Sequence, residues 1–273
     1  ATAYGVGDFF GALATRRSHP IWVSFIGHLF YALIAFIGLT IFGGIWSSEA
    51  GVWGIATGAS EAIGFLVFYF ALNLGNVSLV APLVSVIYAS VPIVWGLVTG
   101  AELNQIQMIG LVIGIIAVVA LSGEKNDASN RQKGFIAPII LTSLISGIVW
   151  GFSTVALSYV PALSGMVPVL VAGLTALVLI TITLAITRGN LVPQLTRTSV
   201  IPAIWSGALF GLANLFIISA LRFGSLTLVG LLTALYPLAT VVLARIVLKE
   251  KISSLRWVGI GLALTSAILL NIR

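Results

Sequence analysis

The sequence predicts an all-α membrane protein whose ten transmembrane helices form two inverted five-helix repeats. Of its 273 residues 59% are hydrophobic and only 7% are charged, which leaves too few polar groups to cover a soluble globule. Apolar runs of about 20 residues, the length that crosses a bilayer, recur along the whole chain. In addition, the first half of the sequence recurs in the second half.

The recurrence has an offset of 146 to 149 residues between equivalent positions. The equivalent positions are Tyr4-Gly5 and Trp150-Gly151, Gly75 and Gly224, Tyr88 and Tyr236, and Glu102 and Glu250. Internal duplication of a helical unit is typical of secondary transporters.

The apolar runs define the helices in order, because each run is bounded by a short polar stretch or turn. In the first repeat, residues 1–122, we expect helices at roughly 1–15, 21–43, 51–73, 77–99 and 105–122. A hydrophilic linker, residues 123–134, follows. In the second repeat, residues 135–273, we expect helices at roughly 135–158, 165–187, 199–221, 226–248 and 255–272. The first helix is short and the chain opens on Ala1 rather than Met, so we expect the N-terminus to be truncated.

Because each repeat has an odd number of helices, the second copy enters the membrane from the side opposite to the first. The repeats are therefore inverted, which predicts alternating access to a site between the halves. The loops after helices 1, 5, 7 and 9 carry most of the basic residues: Arg16, Arg17, Lys125, Arg131, Lys133, Arg188, Arg197, Lys249, Lys251 and Arg256. The other side has only Arg222 and Arg273. This bias predicts that the basic loops are cytoplasmic and that both termini lie on the other side.

Composition also excludes several classes of function. The net charge of +6 lies in loops between apolar spans, so it sets orientation and implies no nucleic-acid partner. The chain has no cysteine, and it shows no metal-ligand cluster, phosphate-binding loop or nucleophile motif. We therefore expect no metal, no cofactor and no enzyme activity, and we expect a secondary carrier driven by an ion or substrate gradient.

The closing block of each half resembles that of a known family. It reads Tyr236-Pro237, Glu250 and Gly259 in the second half, with Tyr88, Glu102 and Gly110 in the first. With the two five-helix repeats, these residues resemble the drug/metabolite transporter superfamily, in particular its ten-helix EamA-type members such as the YddG amino-acid exporters. The resemblance covers essentially the whole chain and implies export of small metabolites, such as amino acids or hydrophobic cations, across a bacterial inner membrane.

Two carboxylates inside predicted helices are the strongest site candidates, because charged groups in lipid are costly and usually functional. Asp8 shares a helical face with Tyr4 and Gly11, and Glu61 lies in the middle of its helix above Phe65. A buried carboxylate attracts a substrate ammonium group or exchanges protons during transport. The alternative is that each carboxylate only bonds a neighbouring helix or the backbone.

His28 is the only histidine within a predicted span, and it is a candidate for coupling or for simple interhelical bonding. Aromatic side chains offer a cavity wall for aromatic substrates or organic cations. The candidates are Tyr88 with Trp95, seven residues later on one face, Trp150 and Tyr236. The alternative is an interfacial aromatic belt. Asn214 is a further polar candidate, and Pro237 is the predicted hinge because a proline permits a helix bend.

The leading hypothesis is a multi-pass exporter of aromatic or other apolar amino acids that works by alternating access. An exporter of lipophilic cations or drugs is the alternative, and a channel or a membrane-embedded enzyme is a weaker one. The expected partners are the small-molecule substrate and the lipid bilayer, with a monomer as the working assumption.

Overall fold

The computed structural model describes residues 2–99, 104–122, 136–187, 195–223, 236–249, 252–270 and 272. Within these residues the chain forms ten α-helices, and the prediction of an all-helical protein with ten helices is confirmed. The predicted linker, residues 123–134, lies outside the described residues. The repeat partners Gly224, Glu102 and Glu250 also lie outside them.

The helix bounds follow the apolar runs closely. In the first half the helices are α1 (Thr2–Thr15), α2 (Pro20–Phe42), α3 (Ser48–Leu74), α4 (Val77–Val98) and α5 (Gln105–Ser122). In the second half they are α6 (Ile136–Ser158), α7 (Val167–Ile186), α8 (Arg197–Phe223), α9 (Tyr236–Val247) and α10 (Ser254–Leu270). The ninth helix was predicted at 226–248, and the residues of that range before Tyr236 lie outside the described part.

Five of the described helices are long and apolar enough to cross a membrane: α2, α3, α6, α7 and α8. All ten helices were expected to cross the membrane, and five of the described helices have the length and composition to do so. The α1 helix has 14 residues and reaches only about 21 Å at 1.5 Å per residue. That length is less than the roughly 30 Å of a bilayer core.

Polar caps and glycines set the ends of α2 and α3. Pro20 occupies the first turn of α2, where its missing N–H costs no helical bond. The His19 ring before it accepts a hydrogen bond from the Ile21 N–H, with 3.3 Å between the two nitrogen atoms. Gly43 ends α2 with a φ of +69°, which favours glycine. Ser47 caps α3 by accepting the Ala50 N–H at 3.1 Å.

Most helix packing joins the first half of the chain to the second. Helix α1 packs against α8 and α9, and α6 packs in the same way against α3 and α4. Helix α2 packs against α8, as α7 packs against α3. The remaining contacts between the halves include α2 with α7 and α5 with α10. If each helix is replaced by its counterpart in the other repeat, five helices away, every one of these packed pairs becomes another packed pair or itself.

The exchange extends to individual residues at two close contacts. A Cβ atom on Gly5 would meet the Tyr236 carbonyl oxygen and lie 2.8 Å from Ala239 Cβ. A Cβ atom on Gly151, the repeat partner of Gly5, would lie 2.9 Å from the Tyr88 carbonyl oxygen. Tyr88 and Tyr236 are themselves repeat partners. Each half thus presents a glycine to the same backbone position of the other half.

Glycine also permits the crossing of α2 with α8 and of α3 with α7. At the first crossing, a Cβ atom on Gly207 would overlap the backbone of Gly27. At the second, a Cβ atom on Gly58 would lie 2.8 Å from the Ala172 Cα. Small residues allow this close approach of helices in lipid, where van der Waals packing replaces the hydrophobic effect.

Two backbone hydrogen bonds between loops join the two halves at one end of the bundle. The N–H of Ile45, in the loop after α2, donates to the Leu163 carbonyl oxygen at 3.1 Å. The N–H of Met166, before α7, donates to the Gly43 carbonyl oxygen at 3.2 Å. Two loops from different halves are therefore held together as in a small two-stranded pair.

The cap at His19 predicts a pH-dependent contribution to stability. Partial burial lowers the pKa of His19 below its usual value, because desolvation disfavours the charged ring. The ring must be neutral to accept the Ile21 N–H, so its contribution is present above the unfolded-state pKa and lost as the pH falls through the folded-state pKa. His19→Ala should cost about 1 kcal/mol at pH 8 and much less at pH 5, measured by thermal unfolding in detergent.

Ser47→Ala provides the control for His19→Ala, because a serine cap does not titrate in this range. Its cost should be the same at both pH values. An equal penalty for His19→Ala at pH 5 and pH 8 would contradict the capping role of the neutral ring.

The crossing of α2 and α8 predicts a sharp difference between two glycines. Gly207→Ala should destabilise the protein by about 1–3 kcal/mol, because the added methyl group overlaps the Gly27 backbone. Gly261→Ala is the matched control, since a Cβ atom there has nothing within 4 Å. It should be neutral or slightly stabilising. Melting temperatures in detergent would measure both, and equal values would contradict the backbone contact.

Candidate functional site

Two carboxyl groups lie inside the bundle on α1 and α3. Asp8 is 1% exposed, and neither of its carboxyl oxygens has a hydrogen-bond partner in the described part of the chain. Glu61 is 7% exposed, and its Oε1 accepts a long hydrogen bond from the Tyr31 hydroxyl at 3.5 Å. Its Oε2 has no partner among the described residues. Buried polar groups are nearly always bonded, so these oxygens require an explanation.

The small residues of α1 bring Asp8 deep into the bundle. A Cβ atom on Gly7 would lie 3.3 Å from the Phe210 ring, and one on Gly11 would contact the Tyr69 ring. The neighbouring helices therefore press against α1 on both sides of the carboxyl group. Asp8 also lies within electrostatic range of the Tyr4, Tyr69 and Tyr236 side chains.

Aromatic side chains from both halves meet at Phe65, one turn after Glu61 on α3. The centre of the Phe65 ring lies 4.5 Å from that of Phe210 on α8 and 4.7 Å from that of Trp150 on α6, both edge-on. It lies 4.8 Å from the His28 ring on α2. We call this group the aromatic cluster, and its members are Tyr4, His28, Phe65, Trp150, Phe210 and Tyr236.

A chain of two hydrogen bonds links three helices beside the aromatic cluster. The Ser206 hydroxyl on α8 donates to the Gly7 carbonyl oxygen at 2.8 Å. Because that hydroxyl has a single proton, the Tyr69 hydroxyl, 2.9 Å away, must donate to Ser206. Helices α1, α3 and α8 are thus held together beside the carboxyl groups.

A narrow cleft opens next to the cluster, at the crossing of Gly27 and Gly207. It is lined by the side chains of His28, Tyr31 and Tyr69, together with two phenylalanine rings of the cluster. The cleft has room for roughly one water molecule. This cleft is too small for a molecule the size of an amino acid.

Most of the candidate residues predicted from the sequence come together here. Tyr4, Asp8, His28, Glu61, Trp150 and Tyr236 all lie in or beside the aromatic cluster. Tyr88 is close by, within electrostatic range of Tyr4 and Glu61. Its hydroxyl oxygen lies 2.8 Å from that of Thr154.

Three other candidates lie in different surroundings. Trp95 is 38% exposed and donates to the Tyr159 hydroxyl at 3.1 Å, away from the cluster. Asn214 is buried, and its amide donates to the Phe210 carbonyl oxygen of its own helix at 3.1 Å. Pro237 is the second described residue of α9 and is buried. The hinge role of Pro237 stays a prediction.

The sequence-based reasoning missed four residues of the site: Tyr31, Tyr69, Ser206 and Phe210. Two of them follow a recognised candidate at helical spacing, since Tyr31 is three residues after His28 and Tyr69 is eight after Glu61. Phe210 could have been found from the repeat, because it is the repeat partner of Glu61 at the offset of 149.

Within the described residues, no three histidine, aspartate or glutamate side chains group as metal ligands would. The described residues bring together two carboxyl groups, several phenol hydroxyls and the aromatic cluster.

Comparison with known proteins identifies the family. The model of the EamA-like transporter family matches residues 1–123 and again residues 137–272. The chain belongs to the EamA-like transporter family. This family is one of membrane transporters for small molecules.

The fold of this EamA-like chain also recurs among solved structures. A crystal structure with 15% sequence identity matches it over 98% of this chain and 95% of the other, with a TM-score of 0.63. That likeness shows the fold alone. No curated protein matches the chain.

Proposed function

We propose that this EamA-like protein is a secondary exporter of small molecules that carry a positive amino group on an aromatic or apolar body. Aromatic and other apolar amino acids are the leading substrates, as in the YddG-like exporters that the sequence resembles. The observation that carries the proposal is the pair of buried, incompletely bonded carboxyl groups beside the aromatic cluster.

A substrate ammonium group complements Asp8 and Glu61. Both oxygens of Asp8 and the Oε2 of Glu61 have no donor among the described residues, and an ammonium group supplies donors that either carboxyl group can accept. In a water-poor interior, opposite charges attract far more strongly than in water. Binding of the substrate therefore offsets the cost of keeping the carboxylates away from solvent.

The aromatic cluster complements the rest of such a substrate. The faces of Trp150 and Tyr4 attract a cation, and the rings of Phe65 and Phe210 pack against an apolar or aromatic body. These side chains come from α1, α3, α6 and α8. The substrate would thus touch both halves of the protein.

The two halves contribute different chemistry at equivalent positions. Asp8 corresponds to Thr154 and Glu61 to Phe210 at the repeat offset. The first half therefore supplies both carboxyl groups, and the second half supplies a hydroxyl and a phenyl ring in their place. This division favours a substrate with one charged end and one apolar end.

The helix pairing supports alternating access between two inverted halves. The packing of α1 with α8 and of α6 with α3 is related by exchange of the halves, as expected for two related repeats, and the odd number of helices in each repeat favours inversion. We place the protein in a bacterial inner membrane with its basic loops in the cytoplasm. In this mechanism the halves rock about the central site, and a monomer suffices.

Lipophilic cations are a second candidate class of substrate, favoured by one specific observation. Among the described residues, no lysine or arginine is buried in the bundle. The carboxylate of an amino acid therefore has no evident cationic partner there, whereas a cation without a carboxylate needs none. Flux assays that include both classes separate the two candidates.

Removal of either carboxylate should impair transport. Purified protein in liposomes should move labelled phenylalanine or a quaternary cation such as tetraphenylphosphonium faster than labelled threonine. Asp8→Asn and Glu61→Gln should lower this flux roughly tenfold or more, since an interaction with a charged group contributes about 1.5–3 kcal/mol.

Glu49→Gln is the matched control, because Glu49 lies on the same helix as Glu61 and is exposed to solvent. Its flux should equal that of the unaltered protein. Normal flux in both Asp8→Asn and Glu61→Gln would exclude the carboxylates from the mechanism. Flux of neither test substrate by the unaltered protein would overturn the proposed substrate class.

The aromatic cluster should set the order of preference among substrates. Trp150→Ala should reduce phenylalanine flux more than threonine flux, because an aromatic pair contributes about 0.5–1.5 kcal/mol beyond its buried area. Trp205→Ala is the control, since Trp205 is 54% exposed. Competition assays with unlabelled amino acids would give the order. An unchanged order in Trp150→Ala would reduce Trp150 to a packing role.

A further inference from the structure

The indole ring of Trp150 lies directly on the backbone of α3 at Gly64. A Cβ atom on Gly64 would contact Trp150 Cδ1, and it would lie 2.5 Å from Nε1 and 3.0 Å from Cγ of the same ring. Ordinary van der Waals contacts of a Cβ atom lie at 3.4–4 Å. The ring therefore occupies the space that any side chain at position 64 would need.

Two phenylalanine rings of α3 flank the indole on this glycine. The centre of the Trp150 ring lies 4.7 Å from that of Phe65 and 5.0 Å from that of Phe68. Phe68 is one turn after Gly64 on the same face of α3. We call Gly64, Phe65 and Phe68 the indole seat. Trp150 is 8% exposed, so the ring is enclosed where it rests on the seat.

Helix α6, which carries Trp150, is held on two sides. The hydroxyl of Ser146, one turn before Trp150, donates to the Gly64 carbonyl oxygen at 3.0 Å. On the side of α4, a Cβ atom on Gly147 would lie 2.9 Å from the Val84 carbonyl oxygen. Because α6 is in close contact with both neighbours, a methyl group added at Gly64 would displace the indole rather than the helix.

A displaced indole would enter the aromatic cluster. The two flanking rings belong to α3, and across the cluster the Phe210 ring of α8 lies 6.4 Å from the indole, measured between centres. An indole that leaves α3 therefore moves toward Phe210. In the proposed function the apolar body of the substrate packs against Phe210, so the displaced ring would take part of the space that this body needs.

The other repeat combines a larger residue with a smaller ring at the equivalent positions. Gly64 corresponds to Ala213 at the offset of 149, and Trp150 corresponds to Tyr4 at the offset of 146. Tyr4 packs against α8 at Phe210, with 5.4 Å between the ring centres. The pair that contains alanine thus contains the smaller aromatic ring, as expected where the two residues share one packed volume.

We propose that Gly64 is a specificity-determining residue: by seating the Trp150 indole on α3, it sets the largest aromatic or apolar body that the exporter accepts. This inference deepens the proposed function and rests on it. Gly64 acts through Trp150, so it is a positioning residue and does not itself bind the substrate.

The test is a competition assay with the protein reconstituted in liposomes. Flux of labelled phenylalanine is measured against unlabelled tryptophan and against unlabelled valine, and the ratio of the two half-inhibitory concentrations is the readout. If only tetraphenylphosphonium is carried, unlabelled tetraphenylphosphonium and tetramethylammonium replace the bulky and the small competitor. We expect Gly64→Ala to raise the ratio of the bulky to the small competitor roughly tenfold, because one methyl group in a confined apolar site changes discrimination by about that much.

Gly54→Ala is the matched control. Gly54 lies on the same helix, about 15 Å before Gly64, and a Cβ atom there would lie 2.8 Å from Val171 Cβ on α7. This variant crowds α3 without touching the indole, so it should retain the ratio of the unaltered protein. An unchanged ratio in Gly64→Ala overturns the proposal, and so does an equal change in Gly54→Ala.

Phe68→Leu alters the seat in the opposite direction and leaves Gly64 in place. A smaller side chain beside the indole lets the ring settle deeper on α3, so the bulky competitor should gain on the small one roughly twofold or more. If Gly64→Ala does not fold, this variant decides the question. An unchanged ratio, or a shift in favour of the small competitor, then overturns the proposal.

A thermal-melting cycle in detergent tests the seat without any substrate. Gly64→Ala should lower the melting temperature of the unaltered protein but have much less effect in the Trp150→Ala background, where no ring remains to be displaced. Equal penalties in the two backgrounds overturn the seat. If the penalties differ and the unaltered protein carries neither substrate, the proposed function fails and the seat stands. If transport occurs and the penalties differ but the ratio is unchanged, the specificity role is wrong and the exporter stands.

Discussion

The architecture depends on backbone contact between helices at glycine. In lipid, apolar side chains gain nothing by leaving one apolar environment for another, so helices associate where their surfaces fit closely. Gly207 against Gly27 and Gly58 against Ala172 bring pairs of helices from different halves to that distance. Gly5 and Gly151 do the same for α1 with α9 and for α6 with α4. The interior between these contacts is consequently a packed frame in this conformation.

This packed frame explains how the protein keeps two carboxyl groups in its interior. A loosely packed bundle would relax until Asp8 and Glu61 reached water or a bonding partner. Here the glycines of α1 and the chain from Tyr69 through Ser206 to Gly7 hold the helices in place. The stability of the frame therefore offsets the cost of the carboxyl groups, as it does at many binding sites.

Sequence reasoning found the charged part of the site because charge is conspicuous in an apolar helix. Asp8, Glu61 and His28 need no knowledge of neighbours to be recognised. Phe210 could not be recognised in this way, because a phenylalanine in an apolar run looks the same in a packed core and in a binding site. The packing of α8 with α1 brings Phe210 to Tyr4, and Phe210 also meets Phe65 of α3.

Helical periodicity also has a limit along the helix axis. Trp95 shares a face with Tyr88, but seven residues place it about 10 Å farther along α4, where it bonds Tyr159.

The two glycine crossings lie at unequal distances from the two ends of their helices. Gly27 lies about 10 Å from the first residue of α2, and Gly58 about 15 Å from the first residue of α3. Each crossing is thus nearer the first residue of its helix than the last, so a small rotation about the crossing would displace the last turn of that helix more than the first.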